Sequence, residues 1–299
     1  MPGELQHIRN QNTISDAVNV SGFGYWSGED ITLQFRPGLV NSGLCFVLNR
    51  GSESTRIPAE FFRRTDTPRR TNLQLGGARV DMVEHVLAAL AGLQIDNCEI
   101  HCNANEMPGC DGSSQAFVDA LSGVEVVSQD APRRALVIGR PVKVGTHDSW
   151  IEARPLADAA YSPRTVLEYK LDYGAASPIE RQNFRLELTV ESFRKELARA
   201  RTFVLKHEAE QLQRQGLGLR VSTADLIVFS ENGPLDTTLR YPDECARHKA
   251  LDMVGDFALS GLDLIGEFVA FRAGHHLNVE LIKELFAVHN LSFGASRCA

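Results

Sequence analysis

Short stretches in which apolar and polar residues alternate dominate the start of the chain. Between residues 12 and 50 they are interrupted by glycine and proline. Successive side chains of a strand point to opposite faces of a sheet, so this alternation predicts β-strands. The same pattern returns later in the chain. The predicted strands cover residues 31–35, 44–49, 98–104, 135–145, 150–156 and 165–173.

A helical period appears between residues 81 and 93. Val83, Val86 and Leu87 recur at intervals of three and four, which places them on one buried face of a helix. Gly92 stands where that helix is expected to end. The other predicted helices cover residues 112–122, 190–200, 206–214, 243–260 and 277–288.

The predicted elements fall into two halves of similar make-up. Each half contains strands followed by helices, which is the pattern of an α+β protein with helices packed on mostly antiparallel sheets. Residues 123–134 contain a proline and clustered charges, so the boundary is placed there. We therefore predict an N-terminal α+β domain at residues 1–128 and a C-terminal α+β domain at residues 134–299.

The composition of the 299-residue chain is that of a globular protein, with 43% hydrophobic and 23% charged residues. A formal net charge of -7 argues against a nucleic-acid binder, whose binding surface is usually basic. No stretch has the apolar core of a signal peptide or approaches the roughly 20 apolar residues of a membrane span. We expect a cytoplasmic protein without a transmembrane segment, with its six cysteines as reduced thiols.

Candidate chemistry begins in the last long predicted helix. His248 and Asp252 are four residues apart, so both side chains project from one face and can reach a single ion. In the helix at 81–93, His85 supplies a third possible ligand and Glu84 an adjacent carboxylate. Two histidines and one carboxylate make a common catalytic zinc set, and a neighbouring Glu can serve as general base. Each pair alone also fits an ordinary amphipathic helix with polar surface residues, so neither motif is specific by itself.

Two further segments carry polar side chains of catalytic type. His275 lies in a turn that opens with Gly274 and leads into a helix, where it can protonate a leaving amine, stabilise an oxyanion or simply cap the helix. Thr202 and Phe203 follow a polar helix. A threonine hydroxyl can bind an oxyanion, but one threonine carries little specificity.

These segments together resemble the UDP-3-O-acyl-N-acetylglucosamine deacetylases, the zinc enzymes of lipid A biosynthesis. The resemblance runs from about residue 12 to about residue 288 in the same order. The segments that carry it are VEHVLAALAGLQIDN (83–97), EMPGCDGSSQAFV (106–118), ARTF (200–203), LRYPDECARHKALDMVGD (239–256) and GHHLN (274–278).

The resemblance implies two similar layered domains with the active site at their junction. It implies a Zn²⁺ ion held by His85, His248 and Asp252, with Glu84 as general base. His275 would be the general acid or oxyanion stabiliser. Asp256, one helical turn past Asp252, would orient it.

Substrate contacts also follow from the resemblance. Thr202 would bind the amide oxygen as it becomes an oxyanion, and Phe203 would pack on the sugar. Lys249 and Arg272 match positions near the diphosphate of a UDP-linked acylated amino sugar. An insert around residues 205–230 would form the acyl-chain tunnel. Transient contact with the membrane-destined lipid product is also expected.

The chain also departs from the family pattern at several positions. Trp26 replaces a usual histidine, Ser149 a frequent lysine, and Val279 a common asparagine. Arg220 and Val221 stand where members often have two glycines in the tunnel-forming insert. We therefore expect intact metal chemistry with altered substrate binding: the two larger side chains would narrow the acyl tunnel or place charge in it, unless the backbone shifts to accommodate them.

Three functions remain open from the sequence. The first is the family reaction, and the second is deacetylation of another N-acetylated sugar or acyl variant. The third is a non-catalytic protein that binds a nucleotide sugar or a partner. Retention of a general base beside a metal set argues against the third, since a binding module has no need for one. Zinc and iron both suit two histidines and a carboxylate.

Overall fold

The computed structural model describes residues 5–51 and 53–292. Within these ranges the chain forms an α+β structure of several sheets packed with six α-helices, which confirms the predicted class. The helices are α1 (Glu84–Gly92), α2 (Gln115–Leu121), α3 (Val190–Ser192), α4 (Lys206–Arg214), α5 (Glu244–Ala258) and α6 (His275–Val288). A 3₁₀ turn at Phe61–Arg63 and a π-helical turn at Phe193–Leu197 accompany them.

A five-stranded sheet in the first half has the order β2-β3-β8-β4-β5. Its strands are antiparallel except for the parallel pair β4 and β8. A separate hairpin of β6 and β7 leads into α1. The strands of this half are β1 (Leu5–Ile14), β2 (Val18–Phe23), β3 (Asp30–Pro37), β4 (Leu44–Arg50), β5 (Glu53–Pro58), β6 (Asn72–Leu75), β7 (Ala78–Asp81), β8 (Cys98–Cys102) and β9 (Val126–Val137).

A mixed seven-stranded sheet contains most strands of the second half. The last long strand, β17, is parallel to β9 and β12 and antiparallel to β11. A three-stranded sheet of β14, β15 and β16 borders α4. The strands are β10 (Val142–Gly145), β11 (Trp150–Arg154), β12 (Thr165–Leu171), β13 (Gln182–Leu188), β14 (Phe203–Leu205), β15 (Ile227–Ser230), β16 (Gly233–Pro234) and β17 (Asp263–Phe271).

The segment predicted to be the domain boundary is mostly strand. β9 pairs with β1 on one side and with β17 on the other, so it joins both ends of the described chain in one sheet. Arg9 of β1 reinforces this connection, because its guanidinium donates to both Asp96 and Asp263. Such charge-assisted pairs are the stronger hydrogen bonds of proteins. The division into two domains stays a prediction.

Helices α1 and α5 pack directly on each other. α5 also packs on β12 and β13, α6 packs on β10 and β11, and α2 packs on β2. Every residue of α1 except Ala91 is buried. The backbones of the two helices are close at Gly255, where an added Cβ would lie 2.1 Å from the carbonyl oxygen of Glu84. The glycine is therefore required by backbone proximity.

We expect Gly255→Ala to lower the free energy of unfolding by about 1–3 kcal/mol, the usual cost of overpacking. In a helix with no close neighbour, replacing Gly by Ala would raise the free energy of unfolding by roughly 1 kcal/mol. The sign of the change therefore tells close packing from open space. Urea unfolding of the purified variant measures it. Gly77→Ala is the matched control, because a Cβ there meets nothing within 4 Å. A Gly255→Ala protein as stable as wild type would contradict the close packing.

Several sequence predictions differ from the structure in detail. The strand predicted at 135–145 is two strands, β9 and β10, and the helix predicted at 190–200 is α3 followed by the π-helical turn. The described cysteines Cys98, Cys102, Cys110 and Cys245 are free thiols. Cys45 is disulfide-bonded, so the expectation of six reduced thiols is wrong there, and Cys298 lies outside the described residues. Within the described ranges, no helix combines the length and apolar character needed to cross a bilayer.

Candidate active site

The contact between α1 and α5 places three potential metal ligands side by side. His85 is the second residue of α1, and His248 and Asp252 face it from successive turns of α5. Nε2 of His85 lies 3.8 Å from Oδ1 of Asp252, and Nε2 of His248 lies 3.5 Å from the same oxygen. All three offer a ligand atom within 4.8 Å of the others, and all three are buried. The group can therefore hold one ion.

The hydrogen bonds around this group leave its ligand atoms free. Nδ1 of His248 donates to the carbonyl of Ala200 at 3.1 Å, which leaves a lone pair on Nε2. Oδ2 of Asp252 accepts from Lys249 at 2.9 Å, whereas Oδ1 is buried without a hydrogen-bond partner in the described structure. A buried carboxylate oxygen without a partner is costly. A metal ion at this position would satisfy it, so the donor set fits a zinc ion.

The charge states of the three residues suit metal ligands. Burial, together with the neighbouring His248, lowers the pKa of His85 to about 3. Burial likewise lowers the pKa of His248 to about 4. Burial works against ionisation of Asp252, but Lys249 and His248 outweigh it and hold that pKa well below its usual range. Two neutral imidazoles and one carboxylate are the forms that bind a divalent ion.

Glu84 borders the group without belonging to it. It begins α1, and its Oε2 accepts the backbone N–H of Thr71 at 2.9 Å. Burial raises its pKa to about 7, although the charge on His275 opposes this shift. A carboxyl group with a pKa close to neutrality is able both to accept and to release a proton near pH 7.

His275 faces Glu84 from the first residue of α6. Its Nε2 lies 3.9 Å from Oε1 of Glu84, while Nδ1 lies 2.9 Å from Oδ2 of Asp256. Asn278 and Thr71 also donate to the Asp256 carboxylate. Burial disfavours a charged imidazole, but Asp256 and other nearby carboxylates more than offset it and raise the pKa of His275 to about 9. The ring is therefore held as a cation whose Nε2 faces both Glu84 and Asp252, at 3.9 Å from an oxygen of each.

Glu84, His275 and the three potential metal ligands line one large cavity of about 920 Å³. Thr202 and Phe203 are on its wall, and the Phe203 ring centroid is 6.3 Å from that of His248. The insert contributes apolar wall residues, including Val221. The predicted site residues that line the cavity are Glu84, His85, Thr202, Phe203, Val221, His248, Lys249, Asp252, Arg272 and His275.

Two predicted site residues do not line the cavity. Asp256 is fully buried behind His275, where it contacts the ring directly. Arg220 points away from the cavity, because its guanidinium bonds Asp30 at 2.6 Å and stacks on the Phe23 ring. Arg220 is thus paired and half exposed.

Three residues of the site were not predicted from the sequence. Thr71 connects Glu84 and Asp256 through its backbone N–H and its hydroxyl, yet it lies in a polar loop with no motif of its own. Asn278 donates to Asp256 from one turn into α6, and its spacing of three from His275 was the available signal. Tyr173 lines the cavity from the loop that follows β12, where only spatial proximity reveals it.

Comparison with known proteins gives a consistent result. A family model described as UDP-3-O-acyl N-acetylglycosamine deacetylase matches residues 11–287. The chain is 38% identical over 279 residues to the UDP-3-O-acyl-N-acetylglucosamine deacetylase of Anaeromyxobacter sp., covering 93% of this chain and 89% of the relative. The enzyme of the same name from Brucella ovis is 37% identical, with 93% and 95% covered. That of Psychrobacter arcticus is 36% identical, with 95% and 87% covered.

Proposed function

The chain belongs to the family of UDP-3-O-acyl N-acetylglycosamine deacetylases, and on this premise we propose that it removes the acetyl group of a UDP-3-O-acyl-N-acetylglucosamine in a zinc-dependent step of lipid A biosynthesis. The observation that carries the proposal is the buried group of His85, His248 and Asp252 in the wall of the cavity. The unpartnered oxygen of Asp252 supports a metal there.

In this proposal, His85, His248 and Asp252 hold the zinc ion. When bound, the ion supplies Lewis acidity, which polarises the amide carbonyl and lowers the pKa of a nearby water molecule. Lys249 keeps Asp252 ionised through its contact with Oδ2. That the metal is zinc is itself part of the proposal, because two histidines and one carboxylate also suit iron.

Glu84 and His275 move the protons of the reaction. The oxygen of a water molecule adds to the acetamide carbon, and Glu84 takes the proton that this water releases. The C–N bond then breaks, and the amine nitrogen takes up a proton from His275 or, if His275 stays the cation that stabilises the oxyanion, the proton that Glu84 took from the water. Asp256 keeps the His275 ring oriented through Nδ1. The products are acetate and the free amine.

The remaining predicted residues position the substrate. Thr202, on the wall of the same cavity, would donate to the developing oxyanion. The Phe203 ring would pack on a sugar face. Lys249 and Arg272 provide positive charge on the same wall for the diphosphate.

Release of acetate from UDP-3-O-acyl-N-acetylglucosamine by the purified protein tests the proposal. Multiple turnovers are expected, with free amine formed in equal amount to acetate. A protein that binds this nucleotide but never releases acetate would favour the non-catalytic alternative. A protein that deacetylates only other N-acetylated sugars would favour the divergent enzyme.

Val221, in the cavity wall, indicates a preference for shorter acyl chains than a glycine at this position would allow. It adds bulk to the cavity in the segment proposed to form the acyl tunnel, and Leu217 and Leu226 of the same segment also line the cavity. We expect Val221→Gly to raise kcat/KM for the longest acyl chains about tenfold relative to short ones, since one methylene in a fitted apolar pocket changes the rate by roughly 10- to 200-fold.

The measurement is kcat/KM across substrates that differ only in acyl length. Arg220→Gly is the matched control, because the Arg220 side chain lies outside the cavity and should leave the profile unchanged. A flat profile in both proteins, or a wild-type optimum at the longest chain, would show that the backbone accommodates Val221 without narrowing.

A further inference from the structure

The Arg64 side chain, in the wall of the cavity, is buried but has few hydrogen-bond partners. Only 5% of the Arg64 side chain is exposed, and the residue lines the same cavity as the metal group. A guanidinium carries five N–H donors. In the described structure its side chain makes one hydrogen bond, from Nη2 to Asp66 at 3.3 Å, and Nε is buried with no partner.

The partner of Arg64 is poorly placed to neutralise it. The Asp66 side chain is 78% exposed, and an ion pair with so exposed a carboxylate contributes little stabilisation. A buried charge persists at low cost only when it is paired and hydrogen-bonded. The wall therefore presents a guanidinium with unused donors, which an anion in the cavity would satisfy.

A second source of positive potential lies beside Arg64. The 14-residue helix α6 begins at His275, and its N-cap Gly274 has no side chain to bond the free N–H groups of the first turn. Such a helix end binds anions through these groups and through the helix dipole. Nδ1 of His276 lies 3.7 Å from the Asp66 oxygen that Arg64 also contacts. One carboxylate thus bridges Arg64 and the start of α6.

We propose that Arg64 and the first turn of α6 form a phosphate-binding subsite of the cavity, with the Asp66 carboxylate holding the guanidinium until substrate binds. Arg272, two residues before the N-cap, adds positive charge to the same wall. The subsite rests on the proposed function, in which the diphosphate is the anionic part of the substrate. Arg64 is then a specificity-determining residue for the nucleotide.

Binding of UDP to the purified protein, followed by calorimetry, tests the subsite without any catalytic step. Arg64→Gln should raise the Kd for UDP about 10- to 100-fold, the usual effect of losing hydrogen bonds to a charged group. Binding of uridine, which has no phosphate, should not change. Arg64→Lys should fall between wild type and Arg64→Gln, because it keeps the charge but loses the bidentate fork.

The Asp66→Asn variant distinguishes two roles of Asp66, which are to compete with phosphate for Arg64 or to hold Arg64 in place. If the Asp66 carboxylate competes with phosphate for Arg64, its removal should tighten UDP binding several-fold. If Asp66 only holds Arg64 in place, the same change should weaken it. Arg220→Gln is the matched control, since that arginine is paired outside the cavity and should leave the Kd unchanged.

The outcomes divide clearly. Weaker UDP binding in Arg64→Gln together with tighter binding in Asp66→Asn supports the subsite. Equal UDP binding by wild type and Arg64→Gln, an equal loss of uridine and UDP binding, or weaker UDP binding in Asp66→Asn overturns it. Acetate release is measured separately. If the variants show the supporting pattern of UDP binding but the wild-type protein never releases acetate, the proposed reaction is contradicted and the subsite is not.

Discussion

Glu84→Gln is expected to lower the kcat for acetate release by about 10²- to 10⁴-fold, the contribution of a positioned general base. The amide keeps the size of the side chain and can still accept the N–H of Thr71. It cannot take a proton from water. Because Glu84 is not part of the proposed ligand set, the variant should retain one zinc ion per chain. Steady-state kinetics and elemental analysis of the same preparation measure both effects.

Glu208→Gln is the control for this experiment. Glu208 also lines the cavity, but it pairs with Arg69 and lies outside the metal group. Its replacement should change kcat by less than about tenfold, since it holds no reacting proton. Near-normal turnover in Glu84→Gln would show that another group accepts the proton. Loss of zinc from Glu84→Gln would instead make Glu84 a ligand.

The double variant His85→Ala, His248→Ala is expected to lose its metal and all measurable activity. Removing groups that merely support metal ligands typically costs 10- to 100-fold in affinity or activity, and two lost ligands should cost far more. Zinc content after dialysis should fall from one ion per chain to near zero. His101→Ala is the control, because His101 pairs with Glu99 on β8, away from the cavity. Full zinc content in the double variant would exclude this group as the metal site.

The helices that build the site follow from local sequence. α4 has the predicted limits, and α1, α5 and α6 differ from theirs by one to three residues, because a helical period and a terminal glycine are local signals. The four-residue spacing of His248 and Asp252 likewise predicts their shared face. The contact of His85 with that pair, across α1 and α5, is implied by the family resemblance and by no spacing within the chain.

The remaining features depend on contacts that are distant in sequence. β9 contains Pro132 and clustered charges that are typical of a linker, yet pairing with β1 and β17 makes it a central strand. Thr71 and Arg64 lie in polar loop sequence, and only the folded chain brings them to Glu84 and to the cavity. The direction of the Arg220 side chain depends in the same way on Asp30, far away in the sequence.

The most direct test of zinc-dependent deacetylation is a titration of metal-free protein. After removal of bound metal by a chelator, acetate release from UDP-3-O-acyl-N-acetylglucosamine is measured as Zn²⁺ is added in known amounts. The proposed function predicts no activity without metal, a linear recovery, and a break at one zinc ion per chain, with no recovery in the His85→Ala, His248→Ala variant. Full activity in the metal-free wild-type protein would contradict it.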